Sequence, residues 1–325
     1  MEIKVRKIMA LILCICFCVT SIGIEAKTKK TTGKDGENIT WNYNKETKTL
    51  TFSGNGAISD FEMDGHSAEP EWYVWSEKAE HVVVEEGITS IGKWAFYAFW
   101  AVESVKLPNT LKKIKRDAFN ENQSLKTINF PNNLEFIGAY AFSGCEKMEL
   151  PAFPQKIKII GEYAFCACNK IKTFSFPSKV EKIENGILSE CKSLSAVYLS
   201  KNTKTIPEYA FSYSSQLKKV KIPESVRKVN MSAFIATSLK RIIIPKNVQV
   251  IKNGNHGNKV FGDGNDNKNL CTIEIRSKKI KSIQKKSFSG LSSKVVIKVP
   301  KSKKKKYTKM LRKSGLSKKV KIKAL

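Results

Sequence analysis

Ile91-Gly92-Lys93-Trp94-Ala95-Phe96 returns as Ile137-Gly138-Ala139-Tyr140-Ala141-Phe142, and again as Ile160-Gly161-Glu162-Tyr163-Ala164-Phe165. Counted on the aromatic, the phrase gives Phe96, Phe119, Phe142, Phe165, Leu188, Phe211 and Phe234, each 23 residues apart; Phe261 and Phe288 follow at steps of 27. A second column keeps the same beat through Pro108, Pro131, Pro154, Pro177, Ser200 and Pro223, with Pro245 one residue early. Self-similarity at a fixed period is the mark of stacked repeats and outranks local structure signals.

One rung shows the physics. In Leu125-Lys126-Thr127-Ile128-Asn129-Phe130-Pro131 the alternation puts Ile128 and Phe130 inward and Thr127 and Asn129 outward. Pro131 ends the strand because it fixes φ and has no N–H to donate. Leu134 and Ile137-Gly138 then turn the chain, and Ala141-Phe142 form the opposite wall. A single rung has too little apolar surface to fold alone, whereas stacked rungs bury a continuous column. Phe142 is therefore expected to stack between Phe119 and Phe165.

The rung follows L-x-x-(I/L)-x-(I/L)-P-x-x-(V/L)-x-x-I-G-x-x-A-F-x-x-C, which resembles the BspA-type, or Treponema-type, leucine-rich repeats over about Glu85 to Pro300. The resemblance implies a mainly β, α+β solenoid: a leucine-rich repeat array of 23-residue rungs. It also implies a role in cell-surface adhesion or binding of proteins, and it carries no active-site motif. The string from Trp41 through Thr49-Leu50-Thr51-Phe52-Ser53-Gly54 to Pro70-Glu71-Trp72 resembles the N-terminal β cap of that family.

The domain organisation read from the chain is a signal segment at 1–26, a linker and β-hairpin cap at 27–78, repeats at 79–300 and a basic helix–strand cap at 301–325. Lys4, Arg6 and Lys7 precede an apolar run from Ile8 to Val19, and Ile24-Glu25-Ala26 offers a cleavage site. The run is short for a membrane span, an uncleaved anchor being the alternative, and no later stretch is apolar enough to cross. Export places the protein outside the cell or on its surface, as a monomer.

The 325 residues include 58 basic and 29 acidic ones. Without the first 26, 55 basic and 27 acidic residues remain, a net charge of +28. From Arg276 to Leu325 there are 20 Lys or Arg and no acid. Such a field favours polyanions, and export points to an anionic wall polymer, an acidic glycan or anionic lipid heads rather than to nucleic acid. Lys303, Lys304, Lys305, Lys306, Arg312 and Lys313 are the candidate polyanion-binding residues.

Residues 27–37 are expected to form an unstructured, polar lead-in. Asn38 to Ser59 is expected to be a hairpin turning at Asn44-Lys45-Glu46-Thr47, with Trp72, Tyr73 and Trp75 filling the adjacent core. Pro151, at an inward strand position, predicts a bulge or bend. Asp263-Gly264-Asn265-Asp266-Asn267 with Glu274 matches most of a calcium-loop spacing, but Lys268 replaces the required glycine, so an ordinary insert is the reading and no metal or other cofactor is assigned. Ser302 is expected to start a helix ending before Gly315, with Tyr307, Met310 and Leu311 on one face, followed by a strand at Val320-Lys321-Ile322.

Cys145, Cys168 and Cys191 recur three residues after the ladder aromatic, where other rungs carry Asn122, Ser214 and Thr237. Buried free thiols are favoured there; a disulfide between rungs is the rival. Cys166-Ala167-Cys168 lacks a second pair at zinc spacing. His66, His81 and His256 are unrelated in spacing, and no nucleophile elbow, phosphate loop or dinucleotide fingerprint occurs. The chain is thus expected not to be an enzyme. A wall-associated structural protein held by its basic end and a secreted hydrolase with an unrecognised site are the other classes.

Binding is expected on the strand-lined, concave face. Its outward positions are Ser104, Lys106, Thr127, Asn129, Thr173, Ser175, Ala196, Tyr198, Lys219, Lys221, Arg241, Ile243, Thr272 and Glu274. From Tyr198 onward these become aromatic, cationic and aliphatic, so Tyr198, Lys219, Lys221, Arg241 and Ile243 are the candidate contacts for an extracellular protein or glycan.

Overall fold

Most rungs contain two strands, not one. The computed structural model describes residues 30–62, 69–180, 182–254 and 267–325; the signal segment, Phe261, His66, His256 and the acidic part of the calcium-like loop lie outside them. The first column of strands comprises β5 (His81–Val84), β7 (Ser104–Lys106), β9 (Thr127–Ile128), β12 (Thr173–Ser175), β13 (Ala196–Tyr198) and β15 (Lys219–Lys221). It continues through β17 (Arg241–Ile244), β19 (Thr272–Ile275), β21 (Val296–Val299) and β22 (Lys321–Ala324). The second column holds β4 (Gly56–Ala57), β6 (Ile88–Ile91), β8 (Lys113–Ile114), β10 (Phe136–Ile137) and β11 (Ile159–Ile160), then β14 (Thr205–Ile206), β16 (Lys228–Asn230), β18 (Val250–Lys252) and β20 (Ser282–Ile283). Pairing within both columns is parallel, as Ser104↔Thr127 and Ile137↔Ile160 show. All of these elements belong to one unit, residues 32–325.

The second column occupies the segment expected only to turn the chain. Ile137 points inward there, and Gly138 follows because the rungs approach too closely for a side chain. A Cβ on Gly138 would lie 2.5 Å from the Arg116 nitrogen.

The third side of each rung is a double left-handed turn. Two residues before the ladder aromatic, φ is positive at Trp94, Asp117, Tyr140, Tyr163, Gly186 and Tyr209; two residues after it, at Ala98, Glu121, Gly144, Ala167, Glu190 and Tyr213. Non-glycine residues adopt this region at a cost of ~1–2 kcal/mol each. They are held by backbone bonds to the next rung: Tyr140 N–H donates to Glu162 O (2.9 Å), Phe142 to Ala164 O (2.9 Å) and Gly144 to Cys166 O (2.8 Å).

The core runs down the middle. Val105, Ile128, Phe174 and Val197 from the first column meet Ile91, Ile114, Ile137 and Ile160 from the second, all buried. Burying such side chains fully contributes ~1.5–3 kcal/mol each. Phe142 does stack between its neighbours, 5.5 Å from Phe119 and 5.6 Å from Phe165, with rings 2° and 8° from parallel.

At the N-terminal end, β2 (Ile39–Asn44) and β3 (Thr49–Gly54) form the expected antiparallel hairpin. The Asn44 side-chain oxygen accepts from the Glu46 and Thr47 N–H groups (2.9 and 3.0 Å) and closes the turn. Trp72 and Trp75 are buried beneath it, with Trp72 Nε1 donating to Ala95 O (2.8 Å). The lead-in expectation fails within the described residues, because Thr32–Asp35 forms β1, paired in antiparallel register with β2. An unpaired β2 edge offers a ladder that even a polar Thr-Gly-Lys-Asp segment can join, since pairing needs backbone groups more than apolar side chains.

At the other end a 3₁₀ turn at Lys301–Lys303 leads into helix α1 (Lys304–Lys313), whose Tyr307 and Leu311 are buried and Met310 half-buried. Ser302 does not start this helix; Lys303 precedes it without a side-chain cap. Gly315 (φ 90°) supplies the stop, and β22 then pairs with β21.

Candidate binding face

The first column is not one continuous sheet. It divides after β9 and again after β15. The first break follows Pro151, as its missing N–H predicts. The second coincides with the shortened step, where Lys219 and Arg241 are 22 residues apart.

Within the middle sheet the register brings three candidate residues together. Ser175, Tyr198 and Lys221 are neighbours across the ladder, as are Thr173, Ala196 and Lys219. Tyr198 is 45% exposed, unusually open for a large ring, and the Lys219 ammonium lies 5.4 Å from its centroid. That cation–π contact, worth ~0.5–1 kcal/mol at an exposed site, orients the ring without covering it. Ala196, expected to face outward, is buried, a small side chain overlapped by its larger neighbours.

Arg241 and Ile243 begin the next sheet, and their surroundings differ. Glu274, also expected outward, is buried with its carboxylate between Arg241 Nη2 (2.5 Å) and Arg276 Nη2 (3.2 Å). Burial opposes its ionisation, but the Arg241 and Arg276 guanidiniums prevail and hold the carboxyl below its ordinary range. Arg241 is therefore part of a structural cluster, and Ile243 is half-buried. The structure gathers Tyr198, Lys219 and Lys221 into one exposed group and sets Arg241 and Ile243 apart on β17.

The early rungs form a shallow groove of about 940 Å³ lined by Glu85, Ser104, Lys106, Thr127 and Asn129 among others. Asn129 uses both ends of its amide on the neighbouring rung, donating to Leu107 O (2.9 Å) and accepting from Leu107 N–H (2.7 Å). His81 Nδ1 and Ser104 Oγ sit 2.8 Å apart on facing strand positions. Their 23-residue spacing is the sequence signal that points to this contact. Among the described residues no carboxylate hydrogen-bonds that imidazole, so the orienting third group of a hydrolytic triad is missing there.

In the basic end, Lys304, Lys305, Lys306 and Lys313 are exposed, while Lys303 is half-buried. Arg312 is structural: it donates to Ser317 O and to Val320 O (2.9 Å for the latter), fastening the last loop to α1.

The cysteines cap backbone carbonyls. Cys145 Sγ donates to Phe119 O (3.2 Å), Cys168 to Phe142 O (3.1 Å) and Cys191 to Phe165 O (3.1 Å), all as free thiols. Asn122 and Ser214 do the same to Phe96 O and Leu188 O. Burial pushes the thiols up, Cys191 to about 12, so none is a nucleophile in the folded protein. Asn267 and Glu274, the described members of the calcium-like spacing, are already engaged, Asn267 with Phe234 O (2.7 Å) and Ala236 N–H (3.0 Å). Among the described residues no group of three or more His, Cys, Asp or Glu is placed to hold a metal, and no helix is long and apolar enough to cross a membrane.

This geometry defines a parallel repeat solenoid. The chain belongs to the BspA-type leucine-rich repeat family: the model of that repeat region matches residues 67–157, 137–261 and 257–324. Among solved structures it is similar to a leucine-rich repeat protein from Eubacterium ventriosum, at 23% identity, covering 82% of this chain and 84% of that one with a TM-score of 0.55. It is equally similar to one from Bacteroides ovatus, at 23% identity over 89% of this chain and 77% of that one, TM-score 0.55. These likenesses show the fold. No curated protein matches the chain.

Proposed function

We propose that the protein is exported and acts on or near the cell surface as a binding protein, presenting its strand-lined face to a protein or glycan. The observation that carries this reading is Tyr198, half-open on an otherwise small and polar stretch, flanked by Lys219 and Lys221. A rigid ring with a polar tip beside cations is the composition of a binding hot spot. The repeat family, a scaffold of interaction surfaces, supports it. A pull-down with residues 27–325 identifies the ligand. Tyr198→Ala combined with Lys221→Glu should then weaken binding more than tenfold, ~1.4 kcal/mol, with no change in melting; unchanged affinity removes the face from consideration.

A second reading rests on the basic end, which would retain the protein on an anionic wall polymer. Exposed charges are screened over ~8 Å at physiological salt, so elution from a polyanionic resin should move to lower salt when Lys304, Lys305 and Lys306 become Gln. Because β21, α1 and β22 are built into the array, charge substitution is the test rather than truncation before Arg276.

A further inference from the structure

We propose that the interruption at Pro151 is a docking slot for an extended, acidic peptide segment of a partner protein. It borders the Tyr198 face on the preceding rung, Ser175 being the strand partner of Tyr198.

The slot follows from an account of backbone groups. β9 ends one sheet and β12 opens the next. Between them, Glu149 N–H still reaches Lys126 O (3.0 Å). Beyond it the chain leaves the ladder, because Pro151 has no N–H to give. Among the described residues no backbone hydrogen bond joins Met148–Phe153 to Thr173–Ser175. The register shows which groups are left over. Phe176 N–H donates to Tyr198 O (2.9 Å), so residues of its parity face the following rung. Thr173 and Ser175, of opposite parity, turn their N–H and C=O groups back toward Pro151.

There the rungs part around a cavity of about 410 Å³ walled by Pro151, Phe153, Pro154, Phe176, Pro177 and Lys179. An open strand edge beside an apolar wall is a template for strand addition. Only an extended peptide supplies donors and acceptors at the matching spacing, with alternate side chains turned to the wall. Charge selects its composition. On a regular rung Lys126 pairs with Glu103 at 2.8 Å. The equivalent pair, Lys172 with Glu149, is not formed among the described residues, and Lys179 is likewise without a carboxylate partner there. Two exposed lysines thus flank β12 against one acid, within a chain of net charge +29, and an acidic strand complements them.

The probe is a capped decapeptide of alternating valine and aspartate, with a second version N-methylated along one edge. Amide hydrogen exchange is followed at Thr173 and Ser175. Both amides should exchange fast in the free protein and slow at least tenfold with the peptide, while the N-methylated version gives no protection. Lys172→Glu with Lys179→Glu should weaken peptide binding at least tenfold, and Tyr198→Ala should leave it unchanged. Pro151→Ile, which restores the missing donor, should protect both amides without peptide and abolish binding; should that variant not fold, the lysine pair still decides. Amides unaffected by the peptide, amides protected in the free protein, or equal binding of the N-methylated version would each overturn the proposal. Protection that grows with protein concentration alone would assign the slot to a second copy, and overturn it too.

Discussion

The stack from Phe96 to Phe165 and the stretch from Phe211 to Glu274 solve the same packing problem differently. In the first, successive rings lie 5.2–5.6 Å apart and within 11° of parallel. Thiols of identical placement cap the carbonyls of Phe119, Phe142 and Phe165. In the second, Phe211 and Phe234 are 6.2 Å apart and tilted by 41°. The step there shortens and then lengthens, and Asn267 replaces the thiol by reaching Phe234 O across 33 residues. The early rungs are held by repetition of one good contact. The later rungs have lost strict repetition and are fastened by individual polar contacts, the Arg241–Glu274–Arg276 cluster among them. A repeat array tolerates this because each rung needs only a fit to its neighbours.

The largest expected effect separates the two regions at the ring column. Phe142→Ala removes a fully buried ring packed on both faces and should cost ~3–5 kcal/mol. Among the described residues Phe234 has one ring partner, Phe211, and it is tilted, so Phe234→Ala should cost less by about an aromatic pair, ~0.5–1.5 kcal/mol. Thermal melts of both variants decide it; equal losses would mean that parallel stacking adds nothing to the early rungs.

The next effect should appear only in the later rungs. Glu274→Gln keeps the shape and removes the charge, leaving two guanidiniums that are half open to water. The loss should be about 1–2 kcal/mol, the lower part of the range for charged hydrogen bonds because solvent screens the arginine side. The pH dependence has a definite sign. The folded carboxyl titrates below its ordinary value of 4.5, so the contribution is complete above that value and disappears as pH falls through the folded one. Wild type and variant should therefore converge in acid. A gap that stays constant as pH falls through the whole acid range would show that the cluster acts through packing and not charge.

How far the residues announce these regions follows from the range of each interaction. The Phe column and the Pro151 break are legible because both depend on positions fixed by the 23-residue period. The left-handed turns at Tyr140 and Tyr163 escape notice, since propensity argues against tyrosine there and only bonds to the next rung justify it. Alternation along β19 puts Glu274 outward, whereas its burial depends on Arg241 one strand earlier and Arg276 beyond. β1 is hidden for a similar reason, its partner edge being a property of the hairpin and not of Thr32–Asp35. On the proposed binding face, counting outward positions is enough to place Tyr198 and Lys221 on the exposed side. That Arg241 is spent on Glu274 emerges only from the structure.

The smallest effect tests whether the thiols of the early rungs do what Ser214 does later. Cys168 Sγ is a weak donor, yet Phe142 O has its side-chain partner in it, and Ser214 Oγ makes the shorter, 2.8 Å bond to Leu188 O from the equivalent place. Cys168→Ala should cost about 1 kcal/mol, the net worth of one hydrogen bond, because Phe142 O keeps the Cys145 N–H (3.2 Å) as its other donor. Cys168→Ser should cost less, because the hydroxyl restores a stronger donor even though it fills less space. Burial holds the Cys168 thiol well above its ordinary range, so it should also resist alkylation in the folded protein, while the exposed Cys271 reacts promptly. A serine variant less stable than the alanine one would mean that the column needs the volume and softness of sulfur, and that the cap is incidental to packing.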